Sequence, residues 1–393
     1  MQNWRLPNAP TTSRKRAVLS ALALLSALSL LLAVWQWVAA WRFPLHSRAP
    51  EPAFTPAVTL LKPLKGWDDQ SADCLRSWLN QQYPAAVQVL LGIASADDPA
   101  AEPIRRLLKE NPTWNAQLVV CPNALGANAK VSTLIQLARL ADHEIIAVSD
   151  ADVLAPPDYL CNAVAPLRKP KVGLVNSFYR LAQPSTLAMQ CEAIAINADF
   201  WSQVLQGQTL QPLDFALGAV MVTRREQLAA IGGFAALADY LADDFQLGNR
   251  IVRTGKSIAI CPVVVDCLST PMGWRAVWDH QLRWSRTIRV CKPLPYAFSI
   301  LSNATFWPLL WLFGMPTANV ALAVGGCVLA RIVMAATLQN RLAPGNGSWA
   351  YCWLAPVKDL MQFALWLLAF CGNHIEWRGQ RYRLLRDGKL VRI

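Results

Sequence analysis

Acidic residues recur in this chain in short clusters just after runs that read as strands, and their spacing is where a chemical argument can start. Asp97 and Asp98 follow Val87–Ala94, Asp150 and Asp152 follow Glu144–Ser149, and Asp243 and Asp244 follow Tyr240-Leu-Ala. A fourth group, His280-Gln-Leu-Arg-Trp, adds Arg283 and Trp284. Two aspartates spaced D-x-D at a strand end project hard oxygen ligands into one cleft, which suits Mg2+ or Mn2+ shared with a diphosphate. Alone, each pair reads equally well as a helix cap or loop solvation. Together they hold the parts of a sugar-nucleotide transfer. These are a group for base and ribose, a metal against the diphosphate leaving group, and a carboxylate for the acceptor's proton.

The elements that must position these groups alternate. Strands are expected at Ala57–Leu61, Val87–Ala94, Leu118–Cys121, Glu144–Ser149 and Val172–Phe178. Helices are expected between them at Ser71–Gln81, Ala101–Asn111, Ala129–Leu140 and Pro157–Leu167. Such alternation predicts an α/β fold with a doubly wound, mostly parallel sheet, and ligands beyond the carboxyl ends of its strands. Lys62 and Lys65 lie at the end of the first strand, as donor-site helpers or as solvated loop lysines.

Around this middle the chain is far more apolar. Of 393 residues, 54% are hydrophobic and 16% charged, against about 25% charged in ordinary soluble proteins. Ala17–Trp41 and Pro293–Ala330 carry no formal charge, and both exceed the roughly 20 residues that cross a bilayer. The first run is too long for a cleaved signal core and ends in Trp35, Trp37 and Trp41, so an uncleaved anchor is expected. Three further apolar blocks span Leu294–Met315, Asn319–Leu338 and Ala350–Phe370. Arg331 interrupts the second; Lys358 and Asp359 interrupt the third and, being adjacent, are expected on different sides of a helix. The excess of 37 basic over 25 acidic residues crowds beside these segments. It points to an anionic membrane surface and not to nucleic acid, for which no motif is present. Ten scattered cysteines lack metal or redox spacing and read as reduced thiols.

The motifs in sequence order resemble the ceramide glucosyltransferase family, especially its bacterial branch, which includes a hopanoid-biosynthesis-associated glycosyltransferase. The segments that carry the likeness are Leu61-Lys-Pro-Leu-Lys-Gly66, Asp97-Asp-Pro-Ala100, Asn128-Ala-Lys-Val131, Ser149-Asp-Ala-Asp152 and Leu217-Gly-Ala219. They continue through Ile231-Gly-Gly-Phe234, Leu237-Ala-Asp-Tyr-Leu-Ala-Asp-Asp244, Arg283-Trp284 and the tail Trp377-Arg-Gly-Gln-Arg-Tyr-Arg-Leu384. The resemblance implies an inverting GT-A enzyme with membrane helices at both ends. It places Asp98 at the nucleotide, Asp150 at diphosphate and metal with Asp152 extending that site, and Asp244 as general base. Arg283 and Trp284 fill the family's Q/R-x-x-R-W signature, with His280 where the family has Gln or Arg. A direct role for His280 and a role in packing both remain open.

The implied reaction moves one sugar from a UDP-sugar to a lipid hydroxyl: glucose to ceramide, or N-acetylglucosamine to a hopanoid polyol. A processive polysaccharide synthase and a non-catalytic lipid-binding protein are the competing readings. The lipid acceptor is expected to enter along Trp274–Lys292, read as an interfacial helix or as a core helix with a basic outer face, and along Leu187–Leu205. The expected organisation is a leader and anchor (1–43), a Pro-rich linker (44–56), the catalytic domain (57–292), membrane helices (293–372) and a basic tail (373–393). The expected location is a bacterial inner membrane with the catalytic domain cytoplasmic. Charge around the ends conflicts with that: basic residues at both termini put both on the cytoplasmic side. Four full spans would then leave the middle domain opposite. One block is therefore expected to be re-entrant or interfacial, or the charge rule to fail.

Overall fold

A computed structural model describes residues 11–49, 54–345, 347–377 and 379–393. The expectations for leader residues 1–10, linker residues 50–53 and Arg378 lie outside the described residues. A 32-residue helix, α1 (Thr11–Arg42), precedes the alternating region. There β1 (Val58–Pro63), α2 (Ser71–Leu79), β2 (Val87–Ile93), α3 (Ala101–Glu110), β3 (Ala116–Val120), α4 (Ala129–Ala138) and β4 (Ile145–Ser149) follow the expected order. After β5 (Val153–Leu154), α5 (Tyr159–Val164) and β6 (Val172–Leu181), the chain forms α6 (Leu187–Ile194), a π-helical turn Ala195–Phe200 and α7 (Trp201–Gln208). Then come β7 (Val220–Arg224), α8 (Arg225–Ala230), α9 (Asp243–Arg253) and β8 (Ser257–Cys267).

The eight strands form one sheet ordered β3-β2-β1-β4-β7-β6-β8-β5. Four of its seven neighbouring pairs are parallel, while β7 opposes both β4 and β6, and β5 opposes β8. Because β7 alone is reversed between β4 and β6, the strands β1–β4, β6 and β8 all end along one edge. The periodicity gave no strand at 220–224 or 257–267. The second contains Pro262, which argues against a sheet interior, and is accommodated where the β6–β8 register shifts between Ser177 and Tyr179. Leu75 and Trp78 of α2, Ile104 of α3 and Tyr159 of α5 fill one face of the sheet. Val131 and Leu134 of α4, Leu247 and Ile251 of α9 and Trp201 of α7 fill the other.

This second core is continuous with the membrane helices. It includes Ala39 and Ala40 of α1 and Leu338 and Leu342 of α13 (Ala318–Leu342). Trp37 Nε1 donates to Thr337 Oγ1 at 2.9 Å, and the Arg341 guanidinium donates to the carbonyls of Trp41 (2.8 Å) and Phe43 (2.7 Å). Among the described residues, three helices are long and apolar enough to cross a membrane: Arg14–Arg42, Ala318–Leu342 and Trp349–Phe370. The block expected at Leu294–Met315 is broken: α10 (Trp274–Cys291) leads into α11 (Pro293–Phe298), and α12 (Phe306–Gly314) follows a 53° bend.

Contacts fix where each element leads. Gly314, at the end of α12, packs on Leu19 and Leu22, some 35 Å along α1 from its domain end. The bent pair therefore runs away from the domain and α13 returns to it. The segment Ser348–Leu354 then joins α14 (Ala355–Phe370) at the domain side, where Gln339 meets Cys352. The far end of α14 is back beside α10 and α11, with Phe370 5.8 Å from the Arg289 guanidinium and Trp366 Nε1 donating to Tyr296 O at 3.0 Å. The third block thus begins and ends at the domain. The tail strands β9 (His374–Trp377), β10 (Gln380–Leu384) and β11 (Leu390–Arg392) follow it there, and Leu390 N donates to Asp239 O. Tail and domain share one side, and the basic residues Arg14–Arg16 lie at the opposite end of α1.

The three interrupting charges meet in one buried cluster, correcting the expectation that Lys358 and Asp359 diverge. Arg331 donates to Asp199 (2.8 Å) and Asp359 (2.9 Å), and Lys358 pairs with Asp359 at 2.6 Å and also with Asp199. Thr305 Oγ1 completes Asp359 at 2.6 Å. The long lysine side chain curls back over its neighbour, so adjacency in sequence does not separate the charges. Arg331→Met leaves two buried carboxylates to share one ammonium and is expected to cost about 3 kcal/mol. Arg331→Lys is expected to lose less, as measured by thermal unfolding in detergent.

Candidate functional site

The loops after β1, β2 and β4 build one wall of a cleft at the carboxyl edge of the sheet. Gly66, with φ +74°, turns the chain after β1, and its N–H donates to Asp98 Oδ1 at 2.9 Å. The same oxygen accepts from Ala100 N at 2.9 Å at the start of α3, so Asp98 fastens two loops together. Lys62 is wholly buried within β1, with Nζ 2.6 Å from the Asp150 carbonyl oxygen and 3.2 Å from Ser149 Oγ. It supports the Asp150 loop from beneath and is not a solvated lysine; burial lowers its pKa to about 8. Lys65 is exposed.

Opposite this wall, α4 and α9 deliver the centre of the site. Asn128 caps α4, accepting from Val131 N at 3.1 Å, and its Nδ2 donates to Tyr240 O at 2.8 Å. The first turn of α4 carries Lys130, whose buried Nζ lies 2.6 Å from Asp150 Oδ1 and 3.4 Å from Asp243 Oδ2. Burial alone would lower the Lys130 pKa, but Asp150 and Asp243 outweigh it and hold the value well above the ordinary lysine range. Asp244 follows, with Oδ1 accepting from Phe245 N at 2.7 Å. Its Oδ2 lies over Gly218, where an added Cβ would come within 2.8 Å. This close approach explains the glycine in Leu217-Gly-Ala219. Enclosure by protein and then the Asp243 charge raise Asp244 to about 7, against the lowering effects of Lys130 and the Phe245 N–H. Asp152 stands exposed beside the Asp150 loop.

Asp150, Asp152, Asp243 and Asp244 thus gather around Lys130, with Asp98 on the adjoining loop. Arg283 and Trp284 stand on α10, where Arg283 is half-buried. Trp284 stands in a file of rings. His280 lies 4.8 Å from Trp284, Trp284 is 6.2 Å from Phe200, and Phe200 is 5.5 Å from Tyr179. Burial raises the Tyr179 phenol well above its ordinary pKa, and Asp244, Asp150 and Asp152 add to that. His280 Nδ1 lies 2.6 Å from Glu192 Oε1, which also accepts from Gln281 Nε2 at 2.8 Å, so His280 ties α10 to α6.

Two expectations about the acceptor side change. Within Leu187–Leu205, Ile194, Ile196 and Trp201 are core residues, leaving Phe200 half-buried among the rings. Along α10, Val277 and Gln281 form the buried stripe, and Trp274 is exposed. Arg286, Arg289 and Lys292 bind protein groups: the His374 carbonyl, Asn373 Oδ1 and Asp214. The sequence reading also gave no role to Lys130 or Asp243. A signal was present, because a lysine in the first turn of a helix opposes the helix dipole and calls for an anionic partner.

The sequence pattern of Glycosyl transferase family 21 matches residues 21–390. The chain belongs to that family. Ceramide glucosyltransferase 3 of Caenorhabditis elegans is 22% identical over 361 residues, covering 88% of this chain and 77% of the relative. The beta-monoglucosyldiacylglycerol synthase of Trichormus variabilis is 24% identical over 251 residues, covering 62% and 51%. Among solved structures, the mannosyltransferase PcManGT of Pyrobaculum calidifontis, in complex with GDP-Man and Mn2+, superposes with a TM-score of 0.51 at 23% identity. It covers 88% of this chain and 99% of its own, a likeness of fold. This family 21 member has a GT-A-like fold and is a hexosyltransferase acting on lipid, which sets aside the non-catalytic reading. Gly218→Ala should displace Asp244 and cut turnover at least about tenfold, leaving overall folding intact. Steady-state kinetics beside circular dichroism checks both halves of that expectation.

Proposed function

We propose that this protein transfers a single sugar from a UDP-sugar to a lipid hydroxyl with inversion at the anomeric carbon. The observation that carries the reading is the pairing, within one cleft, of a carboxyl raised to about 7 at Asp244 with the Asp150–Asp152 pair across Lys130. Asp244 takes the proton of the acceptor hydroxyl as that oxygen attacks. Direct displacement from the opposite face turns an α-linked donor into a β-glycoside. Asp98, on the β2–α3 loop, binds the nucleotide. Lys62 acts on the donor indirectly, through the Asp150 loop it supports. Arg283, whose guanidinium can bind phosphate bidentately, meets the diphosphate, and Trp284 closes the acceptor side.

The donor set suits a divalent cation. Among the described residues no three His, Cys, Asp or Glu side chains cluster to cage a metal. Mg2+ or Mn2+ on a nucleotide sugar needs only one or two carboxylates, with phosphate and water supplying the rest. Asp150 and Asp152 would hold it, and it would neutralise charge on the departing diphosphate. Lys130 bridges Asp150 and Asp243 and holds them oriented.

The relatives' substrates support the acceptor class, with ceramide and UDP-glucose as one pair, and a hopanoid polyol with UDP-N-acetylglucosamine as the other. The file from Tyr179 to His280 forms the acceptor's wall, at the depth where α10 and α14 meet lipid. A cytoplasmic sugar-nucleotide supply puts the domain and the basic tail on the cytoplasmic face of a bacterial inner membrane. Arg14–Arg16 then lie on the far side, and the charge rule fails at that end of α1.

Purified protein in mixed bilayers, given both donors and both acceptors, should yield a hexosylated or N-acetylhexosaminylated lipid by mass spectrometry. Asp244→Asn should reduce its formation by roughly a thousandfold while UDP binding persists; wild-type turnover in that variant would refute the base. Turnover should rise as pH passes through about 7 and then level, because Asp244 accepts a proton only once it is ionised. Asp243→Asn removes a charge that raises Asp244, so the rise should move to lower pH.

A further inference from the structure

Helix α9 begins at Asp243 without a side-chain cap, since Ala242 occupies the capping position. Besides the Lys130 contact to Asp243, the direction in which Asp243 and Asp244 leave the backbone depends on what holds residues 238–242. One edge of that loop is held by the segment before α4. Asn128 N donates to Ala238 O at 2.8 Å, Ala127 N to Asp239 Oδ1 at 3.1 Å, and Asn128 Nδ2 to Tyr240 O at 2.8 Å. Gly126 sits so close that a Cβ would come within 2.5 Å of Ala238, which leaves the two segments no play.

The other edge is held by the end of the chain. Leu390 N donates to Asp239 O at 2.7 Å, Leu241 N donates to Gly388 O at 3.3 Å, and Tyr240 pairs with Lys389 in antiparallel register. The Tyr240 ring has the Arg250 guanidinium 5.4 Å from its centre and the Lys389 ammonium 5.9 Å away. Leu241 packs against the tail's own small core of Ile375, Tyr382, Leu384 and Leu390. The tail is anchored in turn to α10, whose Arg286 and Arg289 bind His374 O and Asn373 Oδ1.

We propose that Gly388–Leu390 is a positioning element for catalysis: the tail adds a strand-like edge to the loop 238–242 and thereby sets the aim of the Asp244 carboxylate. The proposal rests on Asp244 being the base. The tail's contacts are with the loop 238–242, with Ala127 and with α10, and not with the loops that carry Asp98, Asp150 or Lys62, so its effect is expected on turnover more than on donor binding. Because the tail emerges from α14, the aim of the base is tied to the seating of that helix against α10.

The test is Leu390→Pro in the full-length protein in nanodiscs, since proline removes the N–H that reaches Asp239. Turnover should fall at least about thirtyfold, with the donor KM and UDP affinity within about twofold of wild type. Gly388→Ala, at φ +89°, should act in the same direction more weakly, and it decides the matter if the proline variant does not fold. Ile393→Ala, at an exposed side chain, should behave as wild type. Full turnover in a folded Leu390→Pro or Gly388→Ala variant, beside an inactive Asp244→Asn, would overturn the tail's role alone. Loss of UDP affinity together with turnover would also overturn it, marking the tail as general support. An active Asp244→Asn would overturn the base reading beneath it.

Discussion

The Lys130 ammonium is buried where the loop after β4 meets the start of α9. Its 2.6 Å contact to Asp150 and 3.4 Å contact to Asp243 fix the spacing between the strand that ends in the D-x-D pair and the helix that begins with two aspartates. Four carboxylates this close would repel one another without a cation among them. With it, they form a cleft whose negative charge exceeds its positive, which favours further cationic charge at the open end near Asp152. Packing around that contact is correspondingly tight. Gly218 admits Asp244, and Gly248 lets α9 come so near the backbone of Phe215 and Ala216 that a Cβ would meet Ala216 N at 2.3 Å.

Much of this was legible in the sequence, for reasons that differ from element to element. The strands β1, β2 and β4 are short apolar runs bounded by turn residues, and a fully buried parallel strand has no other signature. Asp98, Asp150 and Asp244 stand out because carboxylates beyond such runs have few structural reasons to cluster. What did not read through was pairing. Nothing in the spacing reveals that β7 inserts backwards between β4 and β6, or that Pro262 sits at a register shift. Lys130 was visible within a motif but silent about its partners, which are 20 and 113 residues further on. Lys62 looked like a loop residue because its neighbours are Pro63 and Lys65, yet it points inward from a strand.

Hydropathy says least about the C-terminal block. Trp349–Phe370 is apolar enough for a span, and Arg289, Asn373 and Tyr296 hold its end and the following tail to α10 and α11. Composition measures how much apolar surface a helix can offer; it does not say whether lipid lies beyond both ends. The reversal at Gly314, beside Leu19 and Leu22, is a contact between segments nearly 300 residues apart and is visible only in three dimensions.

The cluster of Asp199, Arg331, Lys358 and Asp359 also bears on how the chain can be assembled. Each of these charges placed alone in hydrocarbon costs roughly 2.5–3.5 kcal/mol, so neither α13 nor α14 settles well by itself. Asp199 belongs to the catalytic region and leaves the ribosome long before Arg331. The domain is therefore the receptor into which the last helices dock, and insertion and folding are one process. It follows that the soluble and membrane halves are not interchangeable cassettes. A chimera joining this catalytic region to another enzyme's anchor would have to import a counter-charge for Asp199, or strand it in a greasy seam.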